Sequence, residues 1–167
     1  MLGLYDNFPQ TVHNAKHVAC SIPSKKLQQT LIKTLLKLNG ETANTENITE
    51  PSMSGCNVKL EFGIAQANNF NYLDIEKSNK LLEAINEKIF RNMDFLCVLR
   101  YYKTREKTPL RFDYYILRFI FDQTLMEIKV FHERGPRHTA PEDLANFIIN
   151  KTNEESKKKV LRTIDVY

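Results

Sequence analysis

The segment from residue 111 to 132 constrains the fold more than any other part of the chain. From Tyr115 to Phe121 every second residue is large and apolar, and LMEIKVFH (125–132) repeats the alternation after a short polar break, Asp122-Gln-Thr. Alternation with a period of two is typical of a half-buried β-strand, and so short a break joins antiparallel neighbours. The sequence therefore predicts a β-hairpin over these residues.

Further elements follow from the same two periodicities along the rest of the chain. Alternating residues predict strands at 18–22, 58–64 and 95–102. Apolar residues at helical spacing, with capping residues before them, predict helices over 25–38, 75–91 and 140–150. The tail after residue 156 fits either a short helix or an edge strand.

The order of these elements is strand, helix, strand, helix, three strands, helix. Three consecutive strands favour a largely antiparallel sheet rather than the alternation of a parallel one. Helices that carry one apolar stripe each pack that stripe on the sheet. We therefore expect an α+β fold, a two-layer domain with a mostly antiparallel sheet and the helices packed on one face.

The composition is that of a single ordinary globular domain spanning 1–167. Of 167 residues, 42% are hydrophobic and 26% charged, and a domain of this length buries enough surface for a core. Residues 40–56, GETANTENITEPSMSGC, hold few large apolar side chains, which predicts a mobile loop. No apolar stretch reaches the ~18 residues of a membrane span and no secretion signal is visible, so we expect a cytoplasmic protein without a membrane partner.

The chain turns from the last strand of the hairpin into the last helix through residues 132–144, HERGPRHTAPEDL. Gly135-Pro136 is a turn signal. Thr139 and Glu142 have the S/T-x-x-E spacing of a capping box, in which each side chain binds a backbone N–H at the helix start. Pro141 fits the first turn, because that position needs no N–H donor. A capped helix start is therefore predicted directly after the turn.

The same turn carries three basic side chains, Arg134, Arg137 and His138. A helix N-terminus offers unpaired N–H groups and a partial positive charge, and the guanidinium fork suits phosphate and carboxylate groups. The sequence therefore predicts an anion-binding site formed by Arg134, Arg137 and His138. The structural alternative is a well-capped loop in which Glu133 pairs with an arginine, a contact worth little to stability.

A second candidate surface lies on the strands at 95–103 and 111–121, where basic residues alternate with tyrosine. Residues 91–118 hold seven basic and three acidic residues. A sheet face that bears tyrosine and arginine stacks bases and binds phosphates in several RNA-binding modules. The residues expected to form such a nucleic-acid surface are Arg100, Tyr102, Tyr114 and Arg118. The same side chains also fit packing beneath helices or a protein interface.

The sequence gives little support to a metal, a cofactor or catalysis. The three cysteines lie far apart, and His13 and His17 are four residues apart in a stretch without a firm helical pattern, so we expect no metal site. We expect no cofactor and no catalytic residues, because no phosphate-binding glycine loop, nucleophile elbow or H-E-x-x-H motif is present. A phosphoester hydrolase or nuclease built on the cluster at 132–138 is the catalytic alternative.

Together with a net charge of +4, these features predict a non-catalytic intracellular module that binds a polyanion. RNA or another nucleic acid is the expected partner. A structural subunit that docks onto a protein partner in a larger complex is the main alternative. The classes differ in behaviour, since nucleic-acid binding falls steeply with salt and an unsatisfied apolar interface leads to self-association.

Overall fold

The computed structural model describes residues 1–44, 48, 56–103 and 111–165 of the chain. Within these residues lie three helices: α1 (Ser24–Leu38), α2 (Ile75–Glu87) and α3 (Pro141–Ser156). The same residues contain eight strands: β1 (Asn14–Cys20), β2 (Thr42–Asn44), β3 (Cys56–Gln66), β4 (Asn69–Tyr72), β5 (Asn92–Lys103), β6 (Arg111–Asp122), β7 (Leu125–Arg134) and β8 (Leu161–Ile164).

The strands form one sheet in the order β2-β3-β5-β6-β7-β1-β8, with β4 paired to the end of β3. The strand pairs are antiparallel throughout the described part of the chain. The α+β fold and the order of its elements are thus confirmed, with β2, β4 and β8 as short additions. The tail, for which helix and edge strand were both open, forms β8 beside β1.

The helices lie on one face of the sheet, and the opposite face is called the helix-free face below. α1 and α3 contact each other and the sheet, while α2 packs against α1. The side chains between the two layers are fully buried; they include Leu117 and Phe119 of β6, Phe95 and Leu99 of β5, and Leu31 and Leu35 of α1. Each such side chain stabilises the fold by about 1.5–3 kcal/mol. The hairpin of β6 and β7 closes at Asp122 and Leu125, as predicted.

α2 is shorter than predicted and ends at Glu87 instead of 91. The cause is Gln28 of α1, a fully buried side chain. Its amide group donates to the carbonyl oxygen of Phe90 (2.8 Å) and accepts from the Phe90 N–H (2.9 Å). These two bonds replace the helical hydrogen bonds that Phe90 would otherwise make, so the chain leaves the helix before that residue.

The predicted loop at 40–56 begins differently from the expectation. Its first residues form β2, which pairs with β3 from Thr42 to Asn44. Residues 45–47 and 49–55 lie outside the described residues, so the mobility of the loop stays a prediction. Ile48 is buried, with 2% of its surface exposed.

The N-terminal residues take part in the sheet, which the sequence patterns did not predict. Gly3 lies between two strands, because its N–H donates to Ala65 of β3 (2.7 Å) and its carbonyl accepts from Asp94 of β5 (2.7 Å). Tyr5 N–H donates to the Asp94 carboxylate (2.8 Å). β3 and β5 separate beyond their last pair at Phe62, and the N-terminal residues satisfy the backbone groups left there.

Candidate functional site: the helix-free face and the turn after β7

A buried carboxylate, Asp113 of β6, organises the turn between β7 and α3. Its Oδ1 accepts from the Arg137 N–H (2.7 Å) and lies 2.8 Å from Nε2 of His132. Its Oδ2 accepts from the Tyr101 hydroxyl (2.6 Å) and from the His138 N–H (2.9 Å). Asp113 has no exposed surface. A carboxylate so far from water is tolerable only when its oxygens are hydrogen-bonded, and here two donors reach each of them.

The residues around Asp113 keep these donors in place. Burial, followed by the hydrogen bond to Asp113, raises the pKa of Tyr101, so its hydroxyl stays protonated and donates. Thr139, also fully buried, lies 2.9 Å from the Tyr101 oxygen, and its hydroxyl donates there because the hydrogen of Tyr101 is already used. The Tyr115 hydroxyl donates to the Thr139 carbonyl. The turn is therefore attached to the sheet through three side chains of two strands: Tyr101 of β5, and Asp113 and Tyr115 of β6.

The backbone of the turn adopts conformations that favour glycine. Gly135 has φ of +115° and Arg137 has φ of +62°. A Cβ atom at Gly135 would lie 2.2 Å from the Phe112 carbonyl oxygen and 2.5 Å from Asp113 Oδ1. The chain therefore passes so close to β6 that only glycine fits, and this approach brings the Arg137 and His138 N–H groups within reach of Asp113.

The predicted capping box of Thr139 and Glu142 is wrong. The N-cap of α3 is Ala140, without a side-chain hydrogen bond, and Thr139 is bound to the two tyrosines instead. Glu142 forms an ion pair with Lys16 of β1, with Nζ and Oε1 2.7 Å apart. Tertiary contacts have thus taken both side chains away from the local motif, whereas Pro141 occupies the first turn as expected.

Glu142→Gln should have a small, pH-dependent effect on stability. The hydrogen bond and charge of Lys16 lower the pKa of Glu142. A lowered folded-state pKa adds stability above the unfolded value of about 4.3 that is lost as the pH falls through the folded value. Because Glu142 is exposed, we expect a loss of about 0–1 kcal/mol near neutral pH, converging to zero in acid, by urea denaturation. The control is Glu83→Gln, which changes an exposed residue of α2. If Glu142→Gln lost the same stability at all pH values, the ion pair with Lys16 would not be the cause.

Fewer backbone N–H groups of the turn are free to bind an anion than the sequence predicted. The N–H groups of Arg137 and His138 already bind the Asp113 carboxylate, and the first turn of α3 carries Glu142 and Asp143. The His138 ring lies edge-on to Tyr101, with centroids 5.4 Å apart. What remains for an outside anion is the pair of side chains of Arg134 and Arg137, both exposed.

A β-bulge aims Arg134 at the helix-free face. Tyr115 pairs with His132, but Tyr114 pairs with Arg134, so Glu133 is skipped in the register of β7. The simple alternation of β7 would place Arg134 on the same side as His132. The extra residue turns it to the opposite side, a common effect of bulges near functional sites.

The bulge joins the two predicted surfaces into one row of side chains, here called the cation–aromatic ladder: Arg134, Tyr114, Phe112 and Arg100. The Arg134 guanidinium lies 5.5 Å from the Tyr114 ring centre. The Tyr114 and Phe112 rings are 6.4 Å apart with planes 19° from parallel. Arg100 lies 5.1 Å from the Phe112 ring centre. The sequence patterns missed Phe112, although its position two residues before Tyr114 on one strand was the available signal.

The two other arginines predicted for this face are neutralised by the protein itself. Arg100 binds Glu61 through Nε and Nη2, at 2.8 and 3.4 Å. Arg118 binds the buried Asp94 through the same two nitrogens, at 2.7 and 2.8 Å, and lies 4.2 Å from the Phe8 ring centre. Forked pairs of this kind position side chains across strands and leave little net charge for a ligand. Tyr102 is half-buried on β5, two residues beyond Arg100.

The histidines of this region contact one another without forming a metal cluster. His13 Nδ1 accepts from the His132 N–H (2.9 Å), and partial burial, with Arg137 and His132, lowers the pKa of His13, which keeps that nitrogen free to accept. His17 lies beside Glu127, 3.5 Å away. Across the described ranges, no group of three or more His, Cys, Asp or Glu side chains is placed to hold a metal ion.

No protein-family model, no curated protein and no solved structure matches this chain. No helix in the described part of the chain is long and apolar enough to cross a membrane. Function therefore has to be inferred from the side chains themselves, above all from the cation–aromatic ladder and the exposed arginine beside it.

Proposed function

We propose that this protein is a non-catalytic binding module that engages a polyanion, with nucleic acid as the favoured class, on its helix-free face. The cation–aromatic ladder is the observation that carries the proposal. It combines an exposed guanidinium with two half-buried aromatic rings in one row. Phosphate-binding cations beside aromatic stacking surfaces are the recurring elements of nucleic-acid grooves.

The charges around the ladder favour one end of it as the phosphate contact. In the described residues, no carboxylate forms an ion pair with Arg134 or Arg137. Glu61 neutralises Arg100 at the other end. A polyanion gains most from cations that are not already compensated, because those cations can replace its condensed counterions. Arg134 and Arg137 are therefore the proposed phosphate contacts, and Arg100 is assigned to holding the Phe112 ring.

Replacing Arg134 and Arg137 together by glutamine should weaken binding and reduce its salt dependence. Each lost phosphate contact lowers the slope of log affinity against log salt by about 0.7 for single strands, so we expect a decrease of about 1.4. Stability should hardly change, because the turn depends on the Arg137 backbone and not on its side chain. The measurement is a salt titration with RNA and DNA, on protein freed of bound nucleic acid.

The matched control is Lys25→Gln with Lys33→Gln, which removes the same charge from exposed positions of α1 in the helical layer. This variant should keep the slope of the unaltered protein. An equal decrease in both double variants would indicate binding through net charge alone and contradict a defined site.

A protein-docking role is the second candidate, and a different feature favours it. A groove of about 580 Å³ lies between the N-terminal residues and the end of α2, and its lining includes the apolar side chains of Leu2, Leu4, Ile89 and Phe90. Ile89 is 45% exposed. Exposed apolar patches of this kind occur at protein interfaces. Absence of binding to any nucleic acid at low salt would overturn the polyanion proposal and leave docking as the better account.

A further inference from the structure

We infer that the ligand of the helix-free face is a single strand of nucleic acid, held by bases that stack on Tyr114 and Phe112. This inference rests on the proposed function and narrows it. Binding to a polyanion requires only cations on the protein, whereas the ladder has two aromatic rings between its two arginines. The rings therefore favour a ligand that has flat aromatic groups as well as phosphates.

The arrangement of the rings suits stacking. Tyr114 and Phe112 are two residues apart on β6, so both project from the same side of the sheet. Their planes are 19° from parallel, with centroids 6.4 Å apart. The guanidinium groups of Arg134 and Arg100 lie over these rings, 5.5 and 5.1 Å from the respective ring centres. Rings already in contact with neighbouring side chains lose less freedom on binding, which favours affinity.

Among the described residues, those of the N-terminal segment cover a part of the helix-free face away from the ladder, which helps to locate the strand. Phe8 lies over Arg118, and the His13 ring stacks on Phe131, with centroids 4.9 Å apart. The N-terminal residues thus occupy the half of the face towards Asp94 and β7. Tyr114 and Phe112 are only half-buried by the described residues, so the half with these rings is proposed for the ligand, and the exposed Arg134 and Arg137 border it.

A double helix does not fit this surface. Its bases are stacked on one another, and only their edges are accessible in the grooves, which are read by a protruding helix or β-ribbon. Two rings lying on the face of a sheet reach no base of a duplex. Unpaired bases, in contrast, can turn outwards and stack on aromatic side chains while their phosphates meet arginine.

The test compares ligands that carry the same charge with and without bases. Fluorescence anisotropy is measured with a labelled strand of about 10 nucleotides, as RNA and as DNA, with an abasic strand of equal length, and with the corresponding duplex. We expect the intact strands to bind more tightly than the abasic strand by about 5- to 150-fold for each stacked base. Tyr114→Leu should weaken intact-strand binding by one such factor, with the remaining difference supplied by Phe112, and leave abasic binding unchanged.

Two further variants separate stacking from folding. Tyr114→Phe keeps the ring and should bind like the unaltered protein, even if Tyr114→Leu proves less stable. Tyr72→Leu removes a tyrosine that is 55% exposed on β4, away from the ladder, and should leave binding unchanged.

The outcomes distinguish the inference from the function on which it rests. Equal binding of intact and abasic strands, still lost in the arginine double variant, would overturn base stacking while the polyanion function stands. Tighter binding of the duplex than of the single strand would also overturn the inference. No binding of any of these ligands at low salt would overturn the proposed function itself. Unequal binding of RNA and DNA would identify which sugar the face prefers.

Discussion

Gly135→Ala is expected to lower the free energy of unfolding by about 2–5 kcal/mol. The left-handed backbone there costs a side chain about 1–2 kcal/mol, and forcing an atom into a packed site costs about 1–3 kcal/mol more. The added Cβ would meet the Phe112 carbonyl oxygen at 2.2 Å, so backbone has to move. Urea denaturation measures the loss, and a thermal midpoint lowered by at least ~4 °C should accompany it.

Gly40→Ala is the matched control for this change. Gly40 also has a positive φ, +81°, but its nearest neighbour is the Tyr72 hydroxyl at 3.5 Å, an ordinary contact. The control should therefore cost only the backbone part, about 1–2 kcal/mol. Equal losses at both glycines would mean that the close approach of the turn to β6 contributes nothing to stability.

Asp113→Ala is expected to cost at least about 4 kcal/mol. It removes the acceptor of four buried or half-buried donors: the Tyr101 hydroxyl, the His132 ring, and the Arg137 and His138 N–H groups. Each unsatisfied buried donor costs about 1–3 kcal/mol. Denaturation gives the total loss, and amide hydrogen exchange of residues 137 and 138 should accelerate.

Two comparisons make this expectation specific. Asp122→Ala removes an exposed carboxylate from the end of the same strand and should change stability by less than about 0.5 kcal/mol. Asp113→Asn should fall between the two, because the Tyr101 hydroxyl can rotate to accept from the new amide while the His138 N–H cannot. If Asp113→Ala lowered the free energy of unfolding no more than Asp122→Ala does, the turn would have to be stabilised by something other than the buried carboxylate.

The fold could be predicted because its strands and helices have strong local periodicity. The alternation from Tyr115 to Phe121 describes a strand whose one face is buried, and the short polar break after it predicts pairing with β7, while β5 pairs along its other edge. The short strands β2 and β4 escaped prediction, and β8 was only one of two alternatives for the tail, since three or four residues carry too little pattern to be recognised. Their strand conformation is imposed by the longer neighbours with which they pair.

The site was predicted only in part. The sequence shows which residue types are present, but their contacts depend on strands that are distant along the chain. Arg134, Arg137, Tyr114 and Arg100 were found from charge and aromatic content. Their arrangement depends on the bulge in β7, and no residue of HERGPRH signals that Glu133 is skipped in the register. The neutralisation of Arg118 likewise depends on Asp94, which meets it only when β5 and β6 pair.

Asp113 was overlooked although a signal was present. Continuing the alternation of β6 backwards from Tyr115 places this acid on the buried face of the strand, among residues that point to the helices. A carboxylate on an apolar strand face needs several donors nearby, and the turn that follows β7 is a rich source of them. The same reasoning would have predicted that Thr139 could bind the sheet instead of capping α3.

The pairing of β1 has a consequence for the order in which the chain can assemble. β1 ends at Cys20, yet its partners are β7, from Leu125 to Val130, and β8, from Leu161 to Ile164. At a synthesis rate of about 5–20 residues per second, the first strand waits roughly 5–20 s before β7 exists to receive it. During that interval the backbone groups of β1 have no native strand partner. Contacts this distant along the chain also slow refolding, so β1 is expected to join the sheet late.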